Sequence, residues 1–183
     1  MKKRRSVYML TSLLVLSALI ITVVLPNGFR QSESAQTKQA NTENNTFVLN
    51  EKEEQILKQV GLVPYINDVL FDETADGKMI VSATAEIGTA PESDKKQLAR
   101  EVAHKFTVAV YKTGVTVAEA SIHITSDNHL VLGTSLGSDH QKKMTQSAMS
   151  GSGQSTSEFF QFLKEHETQT EDPVKNTWFY EIP

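Results

Sequence analysis

Asn67–Gly88 reads NDVLFDETADGKMIVSATAEIG, and this stretch decides the fold. Asp76-Gly77 divides two runs rich in apolar and β-branched residues, and an Asp-Gly pair in that setting marks a hairpin. Behind it, Met79, Val81, Ala83, Ala85 and Ile87 alternate with Ile80, Ser82, Thr84 and Glu86. Successive side chains of a strand point to opposite faces, so this run is a strand with one apolar and one mostly polar face. The apolar face needs a cover.

The cover follows in the chain. After the break APESDKK, apolar residues fall at Leu98, Ala99, Val102, Ala103, Phe106, Ala109 and Val110. That i, i+3, i+4 spacing predicts an amphipathic helix over about 94–112, capped by Ser93 and stopped by Gly114. Upstream, Asn50 with Glu53 three residues on is a capping box, and Glu51, Glu53 and Glu54 suit a first helical turn. With Ile56, Leu57 and Val60 on one side and Gly61 behind, a helix over about 51–60 is predicted.

Downstream, Ile122 and Ile124 point one way and Ser121, His123 and Thr125 the other. A second strand, HLVLGTSLG, begins at His129. A three-residue loop, Ser126-Asp127-Asn128, would set Ile124 opposite Leu130 and Ile122 opposite Leu132, and the apolar pattern favours it over a two-residue loop. The fold class is α+β: one small domain of mainly antiparallel sheet with a packed amphipathic helix, in the order αββαββ. Residues 138–183 read as its helical and tail region: a helix capped by Ser138, a flexible SGSGQSTS break over 150–157, and a short helix carrying Phe159, Phe160, Phe162 and Leu163. In the tail NTWFYEIP, Trp178, Phe179 and Tyr180 are adjacent aromatics. They read as an edge strand docked on the domain, or as an exposed contact for a partner.

The order αββαβ, carried by DGKMIVSATA, LAREVAHKF and VAEASIHITSD, resembles the ring-building domains of sporulation channel proteins and the BON domain over about residues 50–126. The resemblance is one of element order. It implies a small assembly or binding module of a bacterial envelope and assigns no functional residue.

The N-terminus carries a separate signal. Lys2, Lys3, Arg4 and Arg5 precede an uncharged run from Ser6 to Leu25. About 20 residues at 1.5 Å each span roughly 30 Å, the thickness of a bilayer's hydrocarbon core. A secretory signal has a shorter apolar region and a small-x-small cleavage site, and here the nearest acceptable pair, Ser32 and Ser34, lies well past Leu25. The expected layout is therefore a cytoplasmic cationic flank over 1–5, a transmembrane anchor over 6–26, a tether over 27–46 and an extracytoplasmic domain over 47–183. The tether, QSESAQTKQANTENNT at 31–46, is too polar to bury a core. A cleaved, secreted or wall-associated protein with a ligand-binding or inhibitory domain is the alternative.

Charge and cysteine content narrow the function. The first five residues hold four of the 18 cations, which leaves 14 against 22 acids, a net −8 beyond them. That disfavours nucleic acid as a partner. With no cysteine, disulfides, thiolate nucleophiles and zinc ribbons are absent together. Of the five histidines, His104 is predicted solvent-facing, opposite the apolar stripe of its helix. His123 and His129 are predicted as diagonal neighbours on one exposed face, where Glu119 or Asp127 could complete a weak divalent-metal site. Two solvated surface histidines are the plainer reading. Asp72, Glu73 and Asp76 cluster at a turn but lack calcium-loop spacing. No nucleophile elbow or phosphate loop is present. The sequence thus predicts no catalytic residue, cofactor or metal site. It points to a non-catalytic binding or assembly module, with the bilayer as one partner through 6–26 and an envelope protein or a second copy as another; an envelope hydrolase ranks below both.

Overall fold

The computed structural model describes residues 5–8, 49–88, 91–150 and 153–182. Residues 49–182 form a small α+β domain. In chain order it holds α1 (Glu51–Val60), the strands β2 (Ile66–Glu73) and β3 (Met79–Glu86), and α2 (Glu92–Tyr111), where β1 denotes a strand Arg5–Tyr8 at the N-terminus. The strands β4 (Val117–Ser126) and β5 (His129–Gly137), the short helix α3 (Ser138–Gln141), α4 (Gly153–Glu165) and β6 (Thr177–Glu181) complete it. The sheet runs β1-β2-β3-β4-β5-β6 in sequence order. All neighbours are antiparallel except β3 and β4, which are parallel because α2 carries the chain back between them. The sheet is therefore mixed rather than wholly antiparallel.

The alternation in β3 is realised directly. Met79, Val81, Ala83 and Ala85 are buried with Val69 and Phe71 of β2 and Ile122 and Ile124 of β4. Onto this face pack Val102, Ala103, Phe106 and Val110 of α2, Ile56 and Val60 of α1, and Phe159, Phe160 and Leu163 of α4, in one continuous core. The capping box of α1 is present in both directions: Asn50 Oδ1 accepts from the Glu53 N–H at 3.0 Å, and Glu53 Oε2 accepts from the Asn50 N–H at 2.8 Å. The hairpin turns at Gly77, whose φ of +80° explains glycine there.

Four expectations need correction. Ser93 does not cap α2: the helix starts at Glu92, and the Pro91 carbonyl accepts from the Asp94 and Lys95 N–H groups. Pro91 itself holds the cap position, and its side chain has no acceptor to offer. The β4–β5 loop has two residues, not three. Asp127 and Asn128 both have positive φ, at +52° and +63°, the requirement of a tight primed turn. A register shift after Ile124 then sets Ile124 opposite Leu132 and Ile122 opposite Thr134. Neither candidate loop length anticipated it, because the irregularity adds a residue that a loop count does not contain. The 150–157 segment is not a break throughout, since α4 begins at Gly153 inside it. Past Gln141 the predicted helix from Ser138 gives way to turns. At the junction of the expected flank and anchor, Arg5–Tyr8 is extended and pairs antiparallel with β2, Arg5 opposite Phe71 and Tyr8 opposite Asp68. Val7 and Tyr8 suit a strand as well as an apolar helix, and the edge of β2 supplies the partner groups. The rest of the predicted anchor and tether, residues 9–46, lies outside the described residues. Among the described residues no helix is long and apolar enough to cross a membrane.

Candidate functional site

All the helices of the core lie on one side of the sheet. The other side carries Asp68, Leu70 and Asp72 of β2, Ile80, Ser82 and Thr84 of β3, and Glu119, Ser121 and His123 of β4, as the inside-outside alternation requires. The chain from Glu171 to Asn176 folds over one end of this side. It is held there by Asn176 Nδ2, which donates to Glu119 Oε1 at 2.7 Å, and by the Asp139 N–H, which donates to the Val174 carbonyl at 2.9 Å. Gly137 permits the approach: a Cβ there would come within 2.6 Å of the Val174 oxygen.

Between this loop and β2 runs a groove of about 440 Å³. Leu70 and Ile80 contribute apolar surface, and Asp68, Asp72, Glu119 and Glu171 contribute carboxylates. Among the described residues, no lysine or arginine lines it. Glu119 also accepts from Ser135 Oγ at 2.5 Å, and the hydroxyls of Ser82 and Ser121 meet at 2.9 Å across the parallel pair. The groove is thus a carboxylate-lined depression on a sheet face that no described helix covers.

The tail aromatics part ways, as alternation along a strand demands. Phe179 turns inward, edge-on to Phe160 with ring centres 4.9 Å apart and with Lys164 Nζ 5.4 Å above its ring. Trp178 lies on the open face over Gly133, tilted against His123 at 5.6 Å. Tyr180 is 54% exposed. The tail pairs with β5, Trp178 opposite Ser135 and Tyr180 opposite Gly133. Arg100 fixes its end through a two-pronged contact with Glu181, Nε to Oε1 at 2.8 Å and Nη2 to Oε2 at 2.7 Å.

The histidines scatter. His104 is not solvent-facing; it has 0% exposure. Nε2 meets the Ala148 carbonyl at 2.6 Å, Nδ1 meets Thr156 Oγ1 at 3.0 Å, and the ring stacks on Phe159 at 4.8 Å. A carbonyl can only accept, so Nε2 carries the proton and Nδ1 accepts from the threonine hydroxyl, a neutral imidazole. Burial holds His104 below the ordinary histidine value; the Ala148 bond opposes this, and the charges of Lys105 and Lys112 reinforce it. His104 therefore joins α2 to α4 and to the segment before it. The sequence missed this because α4 lies more than forty residues away and covers the side of α2 opposite the stripe.

His123 and His129 do not form a pair. His123 stands opposite Gly133, four residues along β5 from His129, whose Nδ1 turns back to the Asp127 carbonyl at 2.8 Å. His140 and His166 come closer, with ring centres 5.6 Å apart. Burial lowers the His140 value, as do Lys143 and His166, while Asp139 opposes them. Among the described residues, no three His, Cys, Asp or Glu side chains come together as a metal-ligand set. The turn acids are engaged locally: Glu73 pairs with Lys52 at 2.7 Å and Asp76 with Lys78 at 2.7 Å.

No protein-family model, curated protein or solved structure matches this chain. The class is that of a two-layer α+β domain with one sheet face under helices and the other bearing an acidic groove.

Proposed function

We propose that the chain is a single-pass membrane protein whose domain acts outside the membrane as a non-catalytic binding or assembly module. In this reading Lys2–Arg5 stay in the cytoplasm, residues 6–26 span the bilayer, 27–46 are a tether and 47–183 face outward. The observation that carries the binding role is the open sheet face with its 440 Å³ groove beside β2. Concave sites with a few charged groups on an apolar floor are where ligands and partners bind. A catalytic role has less support: His104 is enclosed, and His123 rests against Trp178.

The strand Arg5–Tyr8 bears on the anchor. With 5–8 paired to β2, only the 17 residues Met9–Leu25 remain for a span. They reach about 26 Å as a helix, short of the roughly 30 Å core. Positive-inside orientation also puts Arg5 across the bilayer from the domain. Pairing and insertion therefore exclude each other.

Intact mass of the protein from the membrane fraction and from the medium of an expressing bacterium tests the reading. The full-length mass in the membrane is the expected result. A species in the medium starting near Gln31 to Gln36 would sink the anchor and favour a released, soluble protein.

A further inference from the structure

We propose that β6 is an interface between two copies of this chain, paired antiparallel about Tyr180 so that the two sheets continue as one. This rests on the assembly reading above but not on the anchor, and it names the partner as a second copy.

Among the described residues β6 is the last strand of the sheet and pairs on one side only, with β5. Its main-chain groups alternate in direction. The Ile182 N–H donates to the Val131 carbonyl at 3.0 Å, so the even positions 178, 180 and 182 turn theirs to β5. The odd positions turn theirs outward. Thr177 does so visibly: its N–H and carbonyl exchange bonds with Thr168, at 2.9 and 2.7 Å. Phe179 and Glu181 point the same way, and among the described residues no backbone group meets them.

These two residues fix the register. With Tyr180 on the twofold, Phe179 and Glu181 of each copy face Glu181 and Phe179 of the other, and both exchange main-chain bonds. A twofold at Phe179 would need Thr177, which Thr168 already holds. A twofold at Glu181 would need Pro183, which has no N–H to give.

Side chains select the occupant. Trp178, Tyr180 and Ile182 share the open face by alternation, and Tyr180 is 54% exposed and Ile182 39%. About Tyr180, each Trp178 stands opposite the second copy's Ile182, and the two tyrosines meet. Aromatic pairs and aromatic pairs with β-branched residues are favourable across strands. On the helix face, Lys164 Nζ stands 5.4 Å above the Phe179 ring, so the second copy's Glu181 arrives opposite that ring beside a cation. None of the five opposed pairs over 178–182 sets like charges together. The strand complements itself, as an isologous contact requires.

The chain has no cysteine, so single cysteines report the register of the full chain in membranes of an expressing bacterium. The two Tyr180 positions form a non-hydrogen-bonded pair with Cα atoms about 4.5 Å apart, within disulfide reach. The two Ile182 positions stand four residues out of register, about 14 Å apart. Under copper phenanthroline, Tyr180→Cys should give a disulfide dimer as the main species, and Ile182→Cys roughly tenfold less. Tyr180→Lys sets like charges on the twofold at a half-exposed position. It should make the detergent-solubilised full chain monomeric by light scattering with the parent's thermal melt, and co-expression with Tyr180→Glu should restore the dimer. Equal cross-linking at 180 and 182, or a monomeric parent, overturns the interface. A dimer that survives Tyr180→Lys is held elsewhere and overturns it too. A shortened species in the medium overturns the anchor alone; the same two cysteines then decide the interface on that species.

Discussion

Replacing His104 by alanine removes a fastener between three segments, and the cost can be worked from its surroundings. The ring is fully enclosed and stacked on Phe159, and its Nε2–H is the donor to the Ala148 carbonyl. Removing that donor leaves a buried carbonyl short of a partner, at about 1–3 kcal/mol. The void left by an aromatic ring in a site that cannot fully collapse adds about 2 kcal/mol. A loss of about 3–5 kcal/mol follows, a large part of the roughly 5–15 kcal/mol that a domain has in total. A second signature separates this role from generic packing. The folded-state value is held below the unfolded one, near 6.5, so in the window beneath pH 6.5 the unfolded chain binds a proton that the folded one refuses. The contribution of His104 is therefore complete above that window and drains away as the pH falls through it, levelling off below the folded-state value. Urea unfolding of the full chain, followed by Trp178 fluorescence at pH 7.5 and 5.5, reads both effects. H104A should be less stable at pH 7.5 and should lose less on acidification than the parent; the remaining slope includes His140, which is shifted the same way. A variant within about 0.5 kcal/mol of the parent, with an unchanged pH slope, would refute the assignment of a neutral, bonded imidazole.

The loops and the tail give three further tests. Gly137→Ala drives a Cβ onto the Val174 and Asn176 carbonyl oxygens at 2.6 and 2.9 Å, so the loop must lift, at about 1–3 kcal/mol. Limited proteolysis should then cut near Asp172–Asn176 several times faster, and unchanged cleavage would contradict the close approach. Gly133→Ala puts a Cβ 2.9 Å from the Trp178 ring. As Trp178 is the only tryptophan, its emission should move to the red with little change in melting temperature; an unmoved spectrum would place the ring elsewhere. Arg100→Lys keeps the charge but loses the fork that grips both Glu181 oxygens, at about 1 kcal/mol. Hydrogen exchange in Thr177–Glu181 should rise, whereas equal protection would show the tail held by Phe179 alone.

The hairpin, the central helix and the first helix were legible because each rests on a local rule. Alternation placed Met79 to Ala85, the i, i+3, i+4 stripe placed Ala99 to Val110, and Asn50 with Glu53 placed the first cap. What failed depended on partners distant in the chain or on backbone detail. His104 looked exposed because its cover, α4, sits on the side of α2 away from the stripe, and a sequence pattern cannot show a second helix arriving there. The β4–β5 register slipped on one irregularity after Ile124. The tail aromatics were found, but their division into an inward Phe179 and an outward Trp178 follows from pairing with β5, not from their adjacency. The groove had no sequence signature. Its carboxylates come from β2, β4 and the 171–176 loop, three places that only the sheet order brings together.

The two fates of the N-terminus can be weighed by magnitude. Four added strand residues gain a few net hydrogen bonds, each about 1 kcal/mol, and ordering their backbone costs about 1–2 kcal/mol per residue. Taken alone, the pairing Arg5–Tyr8 is close to balanced, and side-chain contacts decide its sign. Between Ser6 and Leu25 stand twelve leucines, isoleucines and valines. At about 0.3–0.6 kcal/mol each in a bilayer, they favour insertion by about 4–7 kcal/mol before the hydroxyl residues are charged against them. Under the anchored reading proposed above, a membrane would favour insertion over the pairing with β2, and without a membrane the edge can close on Arg5–Tyr8. Moving the full chain from lipid nanodiscs into lipid-free buffer should then slow amide exchange along Ile66–Glu73 while the domain stays folded. Equal exchange in the two states would mean that insertion and the pairing of Arg5–Tyr8 do not compete.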